Sequence, residues 1–217
     1  MASRLVMDSL AELAPTLGGI ASAPDLHEEE RATDRLTTMA EQAHASILTH
    51  AAQHPSLYGM GTTLVMAHLL PLPKPRLLVL NVGDSRAYLV RAGTLTQLTR
   101  DHTLIEEYVH DGRLTPAQAA CHPNRHVLTR AMGLAPHLES DLFFFDLLDG
   151  DLLLLCSDGL TKMLTDERIL QTVRPHRHIP SLATQALIHT ALDAGGIDNV
   201  TVVACTITEI PDQANIH

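Results

Sequence analysis

Two aspartates sit where a strand gives way to a turn. Asp158 follows the apolar run Leu152-Leu153-Leu154-Leu155-Cys156-Ser157 and precedes Gly159, and Asp198 follows Gly195-Gly196-Ile197 and precedes Asn199. A carboxylate at a buried strand end is costly to desolvate unless something compensates its charge. Hard divalent cations such as Mg²⁺ and Mn²⁺ do so, because they take carboxylate, carbonyl and water oxygens. Taken singly, each aspartate is more readily a turn or a helix cap, the ordinary role of Asp before Gly or Asn.

Other residue types point elsewhere and carry less. The chain has 14 histidines, and His122 with His126 or His176 with His178 would suit zinc only with three or four converging ligands. Beyond Cys121 next to His122, no such partner stands at a recognised spacing, so these read as loop or surface histidines. Gly59-Met60-Gly61-Thr62-Thr63 lacks the lysine and the following helix of a phosphate-cradling loop and reads as a tight turn into a strand. Arg86, at a strand start, reads as a partner for carboxylates or carbonyls rather than a phosphate ligand. There is no CxxxxxR loop for a cysteine-based phosphoryl transfer.

The elements that must hold these residues follow from periodicity. Leu5, Leu10, Leu13 and Leu17 suggest an opening helix, closed by Gly18-Gly19 and a loop over 19–26. Residues 28–50 form the clearest helix, with Leu36, Met39, Ala40, Ala43 and Ile47 at a 3.6 period and Glu28 to Glu30 at its N-terminal end. Short β-rich runs follow at 62–70, 76–82, 86–91 and 94–99, which reads as a meander. Residues 102–120 are mixed, with a turn at Asp111-Gly112 and a helix start at Thr115-Pro116. Strands are predicted at 141–146 and 151–156, helices near 166–173 and 181–194, and a last strand over 199–208. The order is α+β, not a repeating βαβ.

The totals bound the remaining possibilities. With 217 residues, 45% hydrophobic and 18% charged, the chain suits one folded domain, expected over 1–210, with a tail at 211–217. A net charge of -10, 3% aromatics and no Trp argue against nucleic acid. Three widely spaced cysteines argue for a reducing compartment and no disulfide framework. The longest apolar stretch, 142–156, is interrupted by Asp146, Asp149 and Asp151 and is no membrane span. A cytoplasmic protein without membrane attachment is expected.

Six short words, read together, change the weight of the two aspartates. Gly59-Met60-Gly61-Thr62-Thr63, Val82-Gly83-Asp84-Ser85-Arg86-Ala87-Tyr88, Thr99-Arg100-Asp101-His102, Leu128-Thr129-Arg130-Ala131-Met132-Gly133, Leu155-Cys156-Ser157-Asp158-Gly159-Leu160 and Gly195-Gly196-Ile197-Asp198-Asn199-Val200-Thr201-Val202 resemble, in order and spacing, the motifs of PP2C-type serine/threonine protein phosphatases. The resemblance implies an α-β-β-α sandwich of two antiparallel sheets flanked by helices, with a metal site at one end. It implies two Mg²⁺ or Mn²⁺ ions, with Asp158 and Asp198 among their ligands and Asp84 as a contributor to a third, weaker ion. It also implies hydrolysis of phosphoserine or phosphothreonine by a dimetal-activated water without a covalent intermediate. The implied partners are phosphoproteins, substrates of a cytoplasmic protein kinase.

Against the family pattern, the Asn-Glu-Asp and Asp-Gly-Met-Gly-Gly motifs and an upstream phosphate-gripping arginine are not found, and Met1 to Leu5 resembles the helix that follows them. The expectation is therefore a domain whose N-terminal strands and first metal ligands are missing, with little Mn²⁺-dependent turnover from these 217 residues alone. Lys162 stands where bacterial members commonly carry the aspartate of Ser-Asp-Gly-Leu-Thr-Asp, and a cation there should oppose a third metal. The rival reading is a catalytically inactive PP2C-like module that binds or regulates a phosphoprotein.

Overall fold

A computed structural model of the chain describes residues 1–13, 27–70 and 74–208. The expected loop over 19–26, the helical residue Leu17 and the tail at 211–217 lie outside the described residues. Helix α1 (Ala2–Leu13) packs on the long α2 (Glu28–Gln53), and strands β1 (Leu64–Leu70), β2 (Arg76–Val82), β3 (Arg86–Arg91) and β4 (Thr94–Gln97) follow. Short helices α3 (Leu104–His110) and α4 (Pro116–Ala120) precede β5 (Asp141–Asp146) and β6 (Leu152–Cys156). The chain continues through α5 (Asp158–Thr161), α6 (Asp166–Val173), α7 (Pro180–Asp193) and β7 (Val202–Thr206). None of the described helices is long and apolar enough to cross a membrane.

The strands form two antiparallel sheets, ordered β1-β2-β5 and β4-β3-β6-β7. Successive strand residues face opposite sides, and this explains why β2 and β6 are apolar along nearly their whole length. Leu77 and Val79 of β2 meet Leu89 of β3 and Leu153 of β6 between the sheets. Leu78, Leu80 and Val82 turn the other way, onto Leu36, Met39, Ala43 and Ile47 of α2. Leu152, Leu154 and Cys156 of β6 likewise back onto Ile169, Val173, Leu187 and Ala191 of α6 and α7. A strand buried on both faces reads as a continuous hydrophobic run rather than an alternation. The four layers are thus helices, sheet, sheet, helices.

The expected meander is corrected: β1 and β2 are in one sheet, β3 and β4 in the other. The chain changes sheets at the corner Gly83-Asp84-Ser85. Gly83 has φ +104, and a Cβ on it would collide with the side chain of Thr63. Buried polar groups fix the corner. The Gly83 N–H donates to His102 Nδ1 (3.1 Å), Asn81 Nδ2 donates to the Gly83 and Arg100 carbonyls (3.2 and 3.0 Å), and the Ser85 and Thr63 hydroxyls bond at 2.8 Å.

Among the strands shorter than expected, β4 and β7 are so for local reasons. β4 stops at Gln97 because the Thr99 hydroxyl accepts the Ala87 N–H at 3.1 Å, so a side chain takes the place of the backbone ladder. β7 starts at Val202 because residues 199–201 are engaged by Ser157, as described below. Between Thr103 and Leu128, which form an isolated bridge, the chain makes an excursion carrying α3 and α4. Thr115 starts α4 with a complete capping box to Gln118.

Candidate metal centre

Strand register decides which residues share an end of the sandwich. Arg86 pairs with Cys156, and Cys156 with Val202, so the start of β3, the end of β6 and the start of β7 lie side by side. The Asp84 corner, Asp158 and Asp198 are therefore at one end, as expected from the motif order.

Ser157 stitches two of these segments together. Its N–H donates to the Thr201 carbonyl (3.1 Å), its hydroxyl donates to the Asn199 carbonyl (3.2 Å), and the same oxygen accepts the Thr201 N–H (3.0 Å). Gly159 completes the contact, since a Cβ there would run into the Asn199 carbonyl oxygen. The Ser-Asp-Gly word thus has a mechanical meaning. Serine and glycine press the turn after β6 against the turn before β7, and each turn carries one aspartate.

Asp158 is the first residue of α5 and Lys162 its C-cap, so the lysine stem runs back one turn along the helix. Lys162 Nζ lies 2.5 Å from Asp158 Oδ2 and 2.8 Å from Asp198 Oδ2. Asp198 Oδ1 accepts its neighbour's N–H, that of Asn199, at 2.8 Å. The lysine, read from the sequence as a cation opposing a third metal, bridges both aspartates. Burial alone would lower the Lys162 pKa, but the two carboxylates outweigh it and raise it, so the ammonium is firmly charged. In turn, Lys162 and then the Asn199 N–H hold the Asp198 carboxyl below its ordinary value.

Asp84 is in electrostatic reach of Asp158 and Lys162 without sharing the lysine contact. Burial first, then the nearby Asp158 and Asp101 charges, push its carboxyl up to about 6. His126, weighed from the sequence only as half of a zinc pair, is also within reach of Asp158 and Lys162. Its pKa is lowered by partial burial and by the neighbouring Arg125 and Lys162 charges. Nothing in the sequence marks it, because the excursion that carries it is closed back toward the site by long-range pairing such as the Thr103–Leu128 bridge.

Two carboxylates converge on one cation position, and among the described residues no three His, Cys, Asp or Glu side chains gather as a ligand group. That is too few for a zinc or calcium cage, but it suits one face of a Mg²⁺ or Mn²⁺ site. Magnesium keeps several waters and binds through one or two carboxylates together with substrate phosphates.

With the geometry established, known proteins resemble the chain throughout. A family model, Protein phosphatase 2C, matches residues 14–107. The serine/threonine phosphatase stp of Listeria monocytogenes is 34% identical over 203 residues, covering 94% of this chain and 75% of that protein. The serine/threonine protein phosphatase PstP of Mycobacterium tuberculosis is 39% identical over 195 residues, 88% of this chain; the chain spans only 36% of the length of PstP. A solved structure of the catalytic domain of PstP in complex with two manganese ions superposes with a TM-score of 0.76 at 36% identity, covering 96% of this chain and 81% of that one. The chain belongs to the PP2C family of serine/threonine protein phosphatases.

Proposed function

We propose that this protein is a metal-dependent phosphatase that hydrolyses phosphoserine and phosphothreonine in cytoplasmic proteins, opposing a protein kinase. The observation that carries the reading is the convergence of Asp158 and Asp198 on one cation position, 2.5 and 2.8 Å from the Lys162 ammonium, in a chain of this family. Asp158 and Asp198 would hold Mg²⁺ or Mn²⁺, and Asp84 would contribute to a third, more weakly held ion. When bound, the ions lower the pKa of a water nucleophile and neutralise charge on the phosphoryl oxygens. The protein's own part is positioning: Ser157 and Gly159 hold the two carboxylate turns together, and the Gly83 corner fixes Asp84.

The test is Mn²⁺-dependent hydrolysis of p-nitrophenyl phosphate and of a phosphothreonine peptide by the purified chain, whose turnover is expected to be low but above background. Turnover should be lost in Asp158→Asn and in Asp198→Asn, because either change removes a charge the metal needs. Turnover that survives both substitutions sinks the reading. A second reading, a module that binds a phosphoprotein without hydrolysing it, is favoured by one observation: Lys162 already stands between the two carboxylates. Phosphopeptide binding with no turnover at saturating Mn²⁺ would select it.

A further inference from the structure

The lysine between the aspartates is more than a neighbour of the metal position. Its side chain is the least exposed of the three, with Lys162, Asp158 and Asp198 at 21%, 32% and 43% exposure. It contacts one oxygen of each carboxylate. A Mg²⁺ ion sits about 2.0–2.1 Å from its oxygen ligands, so an ion taking those same two oxygens would have to stand essentially where Nζ stands. Two cations that close repel strongly in a partly desolvated site. Lysine has a flexible four-carbon stem, and this one leaves from the C-cap of a one-turn helix, so the ammonium can swing away when displaced.

We infer that Lys162 is an internal counter-cation: it neutralises Asp158 and Asp198 and keeps their turns together in the metal-free protein, and a divalent ion binds there only by expelling it. The inference rests on the reading of Asp158 and Asp198 as metal ligands. On that reading the residue sets metal affinity by competition, and its presence makes the carboxylate pair tolerable before any metal arrives.

The experiment uses two readouts that do not depend on turnover. Mn²⁺ binding is followed by electron paramagnetic resonance of the free ion, and thermal melting is recorded in EDTA and in excess Mn²⁺. Lys162→Met keeps the stem and removes the charge; Lys162→Gln serves as a second variant should the first fail to fold. Expected is Mn²⁺ affinity raised about tenfold or more, together with a lower melting temperature in EDTA that Mn²⁺ restores. Affinity unchanged or weakened in a cooperatively folding variant overturns the inference while leaving the metal reading intact. Absence of Mn²⁺ binding in wild type and variant alike overturns both.

Discussion

Arg86 grips Asp101 through a planar fork, with Nε 2.9 and 3.0 Å from the two carboxylate oxygens and Nη2 2.7 Å from Oδ2. The remaining nitrogen, Nη1, donates to the Tyr88 hydroxyl at 2.8 Å, and that hydroxyl donates to Asp166 Oδ1 at 3.0 Å. One arginine thus ties β3 to the segment after β4 and, through Tyr88, to the first turn of α6. Its charge is committed to structure at the root of the Asp84 corner.

Replacing Arg86 by Leu should therefore cost about 3 kcal/mol, because it strands the mostly buried Asp101 carboxylate without its partner. Arg86→Lys should recover only part of the loss, since an ammonium cannot reproduce the fork. Urea unfolding of the three proteins measures this. A loss below 1 kcal/mol for Arg86→Leu would show that water takes over the role of the arginine.

Gly159→Ala tests the apposition of the two aspartate turns. The methyl group meets the Asn199 carbonyl, which belongs to a turn already fixed by Ser157. Relief requires the turns to separate, at a cost of about 1–3 kcal/mol in stability. Mn²⁺ affinity should fall with it, because Asp158 and Asp198 move apart. Full Mn²⁺ affinity in Gly159→Ala would mean that the turns adjust without moving the carboxylates.

The pH dependence of stability should carry a contribution from His102. Burial pulls its pKa below the ordinary 6.5, against the raising effect of Asp141, whose Oδ2 lies 3.2 Å from Nε2. The Nδ1 atom accepts the Gly83 N–H and has to stay unprotonated to do so. As pH falls below 6.5 the unfolded chain takes up the proton before the folded one does, so this stabilisation is present above 6.5 and is lost on acidification. His102→Asn keeps an acceptor near Gly83 and removes the titration. Its stability between pH 7.5 and 5.5 should fall less steeply than that of the wild type, measured by urea midpoints. Parallel curves would exclude His102 as the source.

Much of this protein was legible in its residues alone. The helix over 28–50 was marked by a one-sided apolar stripe, and β2 and β6 by short apolar runs bounded by turns, because these patterns depend only on local geometry and on which side is buried. The ordered words around Asp84, Asp158 and Asp198 pointed to the candidate site for the same reason: each is a complete local device, a turn with its glycine and its acid. What local pattern does not encode is which element lies beside which. The four strands from 64 to 97 look like one meander, and only the Gly83 corner, held by Thr63 and by His102 from distant parts of the chain, sends β3 and β4 into a second sheet. Lys162 was readable as an unwelcome cation near Asp158, one helical turn away. That its ammonium also reaches Asp198, 36 residues on, was decided by Ser157 and Gly159 closing against Asn199 and Thr201, a contact between backbones that no sequence period records.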